Sequence, residues 1–218
     1  MAWHLAPAVT LAPVGDDLVF LDVEQDAYLC VPGGAGALRR TSYSVDVADP
    51  DLAAELAAAG LLEERPGASL GRRPAPTARE DLGDIIRPHI GFGDRLAFAA
   101  SIVANGRRYH GRALKQIIAV ATARGEGPSR FSGAPPDQAL LRQAMIFERL
   151  LPWAPRQEAC LYRSFMLLQF LGELGRDANW VFGVRTRPFE AHCWIQAGGV
   201  VLDDSVDHVA SFAPILVT

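Results

Sequence analysis

Three residue types in the C-terminal half of this 218-residue sequence have the chemistry for covalent catalysis: Cys160, His192 and the pair Asp203-Asp204. A cysteine attacks as its thiolate, and the positive end of a helix favours that form. Cys160 opens a run to Leu174 in which Leu161, Phe165, Leu168 and Leu171 share a broad apolar face, with Gly175 as the stop. The thiol therefore stands at a predicted helix N-terminus. An imidazole nearby can take up a proton and return it to a leaving amine. A carboxylate orients that ring and stabilises its cationic form. His192 lies in Ala191-His-Cys-Trp-Ile-Gln196, and the aspartates follow Val200-Val-Leu202; both runs read as neighbouring strands.

The turn between those strands decides which aspartate meets His192. If Gly198-Gly199 form a two-residue turn, His192 faces Ser205 and shares its sheet face with Asp203. If Ala197-Gly198-Gly199 form a three-residue loop, His192 sits opposite Asp204. Spacing alone leaves both open. A zinc site on Cys160, His192, Cys193 and Asp204 competes with the triad. Adjacent strand residues point to opposite faces, however, and no C-x-x-C or H-x-x-x-H spacing occurs, so no metal is expected. Cys30 and Cys193 lie in apolar strands and read as structural. His4, His89, His110 and His208 have no organised surroundings in the sequence. No phosphate-binding glycine motif of either common kind is present.

The elements that must position these residues fall into three parts. Residues 1–64 read as a small module: strands over Leu18–Val23 and Ala27–Val31, then a helix from Pro50 stopped by Gly60 and capped by Asp49 or Asp51. A hairpin with Ala-rich helices ending in Gly-Leu-Leu-Glu-Glu resembles a winged-helix unit. Residues 65–89 read as a Pro/Gly/Arg-rich linker. Residues 90–218 begin with helices over 94–105, 111–124, 136–151 and 160–174, then turn to strands over 179–185, 191–196 and 200–203. The expected class is α+β.

Composition narrows the function further. Acidic residues number 25 against 21 basic ones, and mean hydropathy is +0.11, which excludes a disordered chain. No apolar run approaches the roughly 20 residues of a membrane span, and the N-terminus lacks a basic patch leading into an apolar run. Three cysteines fit a reducing cytoplasm better than a disulfide scaffold. Residues 1–64 are strongly acidic and 65–130 strongly basic, but the arginines are scattered without interleaved aromatics, so no nucleic-acid partner is expected.

Four segments together carry a resemblance: Cys160-Leu-Tyr-Arg-Ser-Phe-Met-Leu-Leu, Phe182-Gly-Val-Arg, Pro188-Phe-Glu-Ala-His-Cys-Trp and Leu202-Asp-Asp-Ser. Their order and spacing closely resemble the transglutaminase-like, papain-like cysteine protease domain of lasso peptide B proteins. The resemblance covers about residues 90–218 and implies Cys160, His192 and Asp204 as the catalytic triad, which in turn selects the three-residue loop. It implies removal of a leader from a ribosomally made precursor, with a macrolactam synthetase as partner. No cofactor is implied in this chain; ATP would enter through that synthetase. Residues 1–64 resemble, less closely, the winged-helix recognition element of such pathways. That implies a leader added as a strand along Tyr28, Leu29, Cys30 and Val31, packed against the helix bearing Leu52 and Leu56. Two other functions use the same features: an acyltransferase or transglutaminase with an amine as acceptor, and a precursor-binding chaperone without catalysis.

Overall fold

A computed structural model describes residues 3–40, 44–64, 75–83, 88–123, 136–154 and 159–218. Most of the expected linker, 65–74 and 84–87, lies outside the described residues. The chain begins with β1 (His4–Leu5) and an antiparallel meander of β2 (Val9–Val14), β3 (Asp17–Asp22) and β4 (Ala27–Val31), in the order β2-β3-β4. Gly15, at φ +59°, makes the tight turn from β2 to β3. The Asp22 carboxylate accepts the Glu24 and Gln25 N–H groups at 2.8 and 3.1 Å and closes the next turn. A second hairpin, β5 (Leu38–Arg40) and β6 (Val45–Val47), leads into α1 (Pro50–Ala58) and β7 (Leu62–Glu63), which pairs with β1. Asp49 caps α1 and Pro50 starts it. β2 is an element that sequence patterning missed.

β3 is buried along its whole length because each face serves a different core. Leu18 and Phe20 join Leu11, Leu38, Leu56 and Leu62 in a small cluster. Val19 and Leu21 join the main core of the molecule. The N-terminal meander therefore packs on the rest of the chain.

The second half opens with β8 (Glu80–Asp81), inside the segment expected to be linker, followed by α2 (Phe92–Tyr109), α3 (Leu114–Ala123) and α4 (Gln138–Leu150). α5 (Cys160–Glu173) is nearly all buried, with Phe165, Met166, Leu167, Phe170 and Leu171 fully enclosed. It packs under a sheet of β9 (Asn179–Thr186), β10 (Phe189–Ala197), β11 (Val200–Val201) and β12 (Ala213–Val217), ordered β12-β9-β10-β11-β8. β8 joins β11 in parallel; the other pairs are antiparallel. Between β11 and β12 lies the four-residue α6 (Val206–Val209), which the sequence reading did not include, nor did it include β12. Phe165, Trp180 and Phe182 stack between helix and sheet at centroid distances of 5.6 and 4.7 Å. This mixed helix and antiparallel-sheet architecture is the expected α+β class. Among the described residues no helix is long and apolar enough to cross a membrane.

Candidate active site

Cys160 is the first residue of α5, with Ala159 at the N-cap offering no side-chain acceptor to the first-turn amides. Burial of the helix in the main core fixes the sulfur at the positive end of the helix dipole. α5 lies against β10, and the Cys160 sulfur is hydrogen-bonded to Cys193 and His192, both on that strand. These contacts, Cys193 first and His192 second, lower the thiol to about 4 against the opposing effect of burial. Cys193 is itself buried and pushed well above its ordinary range, so it remains a thiol that donates to the Cys160 thiolate. Its assignment as purely structural is thus incomplete. Cys30, by contrast, is exposed on β4 rather than packed in a strand interior.

His192 leaves β10 where the strand has no partner on its β11 side, so its ring can reach past the strand edge to Cys160. Its Nε2 lies 2.6 Å from Asp204 Oδ2, with both side chains mostly enclosed. That engagement leaves Nδ1 for Cys160. Burial would lower the imidazole, but the hydrogen bonds to Asp204 and Cys160 prevail and raise it to about 9. Asp204 is lowered to about 2, because bonds from His192 and His208 and the Ser205 N–H outweigh its burial. Around neutral pH the charges are therefore thiolate, imidazolium and carboxylate in sequence.

The ring is wedged by aromatics. Phe212 lies 5.2 Å and Trp194 6.1 Å from the His192 ring centroid. Both approach because the cross-strand partner of His192 is Gly183. A Cβ there would meet Trp194 at 2.8 Å and Phe212 at 2.9 Å, distances at which something must move.

The turn corrects the register expectation. Gln196 pairs with Val201 and Ala197 with Val200, so Gly198-Gly199 form the two-residue turn, with Gly198 at φ +55°. His192 nevertheless meets Asp204. The ladder ends at Val201, the Leu202 N–H still bonds the Ile195 carbonyl, and the chain bends out of the sheet over 202–204. Alternation stops where pairing stops. Asp203 turns inward at the bend: Oδ1 accepts the Ile195 N–H at 2.7 Å, and Oδ2 lies 2.6 Å from Ser164 Oγ on α5. Burial raises Asp203 to about 7. The two neighbouring aspartates thus divide the work, one locking strand to helix and the other facing the histidine.

His208, which sequence patterning left without surroundings, places Nδ1 at 2.9 and 3.0 Å from the two Asp204 oxygens. His192, Asp204 and His208 could be read as a metal cluster, their ligand atoms lying within 4.8 Å of one another. Two ligands on a tetrahedral zinc sit about 3.3 Å apart, given bond lengths of about 2.0 Å. The 2.6 Å between Nε2 and Oδ2 suits a proton, not an ion.

The residues expected to hold a leader are divided by the structure. β4 is an edge strand, its outer side unpaired among the described residues, with Leu29 41% exposed and Cys30 exposed. Tyr28 instead turns toward the main core. Its ring meets Phe189 of β10 edge-on at 5.7 Å, and its hydroxyl is raised to about 12 by burial and, less, by the nearby cysteines. Val31 and Leu52 are half-buried against the small core, and Leu56 is buried within it, so Leu56 supports the strand and offers no surface to a ligand. An open cavity of about 710 Å³ borders the triad at Asp204, lined also by Met145 and by Glu148 and Arg163, which pair at 2.9 Å.

Residues 103–217, just over half of the chain, match the family model of the transglutaminase-like superfamily. A stretch of 46 residues is 44% identical to the microcin J25-processing protein McjB of Escherichia coli, covering 21% of this chain and 22% of that protein. The match thus spans about a fifth of the relative's length. No solved structure matches. A cysteine opening a helix, packed on a strand whose histidine meets an aspartate just past the next turn, lies wholly inside the matched stretch, and the chain belongs to the transglutaminase-like superfamily.

Proposed function

We propose that this chain is a cytoplasmic leader peptidase for a lasso peptide precursor, working through Cys160, His192 and Asp204. The observation that carries the reading is the thiolate–imidazolium–carboxylate chain in the same molecule as an unpaired edge strand. The partial relative, a microcin J25-processing protein, supports the substrate class. The leader adds as a strand along β4, with Leu29 and Cys30 exposed to it and Val31 and Leu52 flanking the small core. Tyr28 and Phe189 connect that strand to the catalytic one.

The Cys160 thiolate attacks the carbonyl carbon at the end of the leader. The developing oxyanion is met by first-turn amides of α5, the Cys160 N–H among them. The C–N bond breaks as His192 gives its proton to the departing core amine, leaving a thioester on Cys160. Water then attacks the thioester, His192 accepts its proton, and the leader leaves as a carboxylate with Cys160 regenerated. Asp204 holds the imidazole in place throughout and stabilises it whenever it is protonated. No cofactor takes part in these steps; ATP is consumed by the macrolactam synthetase that receives the core, the second partner in this reading. Docking on β4 raises the local concentration of the scissile bond toward the millimolar range, so the catalytic cleft itself needs little affinity.

Mass spectrometry of precursor incubated with the wild-type chain and with Cys160→Ala tests the proposal. The expected result is leader and core fragments summing to precursor plus water with the wild type alone, while Cys160→Ala still binds the leader. A mass gain matching an added amine would make the chain an acyltransferase. Intact precursor in both reactions, despite binding, would make it a chaperone.

A further inference from the structure

We propose that His208 is a positioning residue that locks the Asp204 carboxylate in the plane from which it holds His192. The inference rests on the reading of Cys160, His192 and Asp204 as a catalytic triad, and adds a second imidazole to it.

Asp204 needs such a hold because of where it lies. It follows the end of the β10–β11 ladder, on a bend where no strand pairing fixes its backbone. Within the site its Oδ1 takes the N–H of Ser205 at 2.7 Å, and its Oδ2 takes His192. Apart from His192, the ring that it must orient, that leaves one bond from an adjacent residue's amide to restrain the carboxylate. His208 adds a second restraint by reaching both oxygens from one nitrogen, at 3.0 and 2.9 Å.

The placement of His208 follows from local structure. Ser205 caps α6 by accepting the His208 N–H, and one helical turn brings positions 204 and 208 side by side. The His208 ring then packs edge-on against Phe212 at 5.4 Å and lies 4.8 Å from the His192 ring. Phe212 also touches His192, so one aromatic side chain sets both imidazoles. The ring of His208 is 43% exposed, and its Nδ1–H is the group offered to Asp204. Asparagine carries a donor at the same distance from its backbone as Nδ1 of histidine, whereas alanine carries none.

The test is the rate at which iodoacetamide alkylates Cys160 as a function of pH in wild-type, His208→Ala and His208→Asn chains, read residue by residue by mass spectrometry. Cys30, which is exposed, gives the reference rate, and Cys193, which is buried, reports any unfolding. In wild type the Cys160 rate rises through a midpoint near 4. In His208→Ala that midpoint moves up by about one pH unit, because a carboxylate that wanders from His192 weakens the imidazolium that holds the thiolate. In His208→Asn it returns to the wild-type position. Leader cleavage follows the same order, with kcat about tenfold lower in the alanine variant and KM unchanged. An alanine profile matching wild type, or an asparagine profile matching alanine, overturns the role of His208 while leaving the triad standing. A wild-type Cys160 no more reactive than Cys30 near pH 6 overturns both the triad and the positioning role.

Discussion

Strands β4 and β10 are treated in opposite ways by the fold. β10 is paired with β9 along nearly its whole length and with β11 at its C-terminal end, is packed by α5 on one face, and sets the His192 ring against Trp194 and Phe212. β4 is paired on one side only and shows Leu29 and Cys30 to solvent. A catalytic ring must be held within a fraction of an ångström, so its strand is enclosed. A strand that receives a peptide must keep its outer N–H and C=O groups unspent, so it is left at an edge. The two are joined by an aromatic contact, Tyr28 on Phe189.

Damage to the enclosed strand should strike turnover, and damage to the open one should strike affinity. Gly183→Ala forces a Cβ against Trp194 and Phe212 and tilts the His192 ring. We expect kcat to fall on the order of 100-fold with KM little changed, measured as initial rates of precursor cleavage. Leu29→Asp puts a charge on the exposed face of β4 and should weaken leader binding about tenfold by fluorescence anisotropy, with kcat at saturating precursor unchanged. An equal loss of kcat in both variants would erase the distinction between the strands.

A smaller effect belongs to Asp203, which fastens β10 to α5. Its folded value near 7 lies above the ordinary carboxylate value of 3.8, so the folded chain holds a proton that the unfolded chain has lost. The stability it confers is complete below about pH 4 and drains away as pH rises to 7. Asp203→Asn, which keeps an acceptor for the Ile195 N–H, should flatten that part of the pH–stability curve in urea denaturation. An unchanged slope would show that Asp203 does not hold the proton.

Much of this arrangement is legible in the sequence because it depends on local periodicity. The apolar face of α5, the cap at Asp49 and the runs of β9 and β10 are written in side-chain order. The meeting of His192 with Asp204 is not. Register arithmetic assumes that pairing continues, whereas the ladder stops at Val201 and three residues of bend, 202–204, replace it. His208 escapes for a related reason: α6 spans four residues, too short to show any period, yet one turn suffices to set it beside Asp204. β8 is two charged residues long and acquires strand geometry from β11 alone, so neither propensity nor pattern marks it. Leu56 sits at helical spacing that suits a groove or a core equally, and the small cluster claims it.

The double burial of β3 bears on how this chain can be re-engineered. Grafting residues 1–64 onto another enzyme to redirect it would carry away Val19 and Leu21, which belong to the main core, and leave a hole in the donor. The transplanted module would in turn bring an apolar face with no host surface shaped to receive it. Specificity would be moved with less harm by rewriting the outward residues of β4 in place, since that edge can be recoded without disturbing either core.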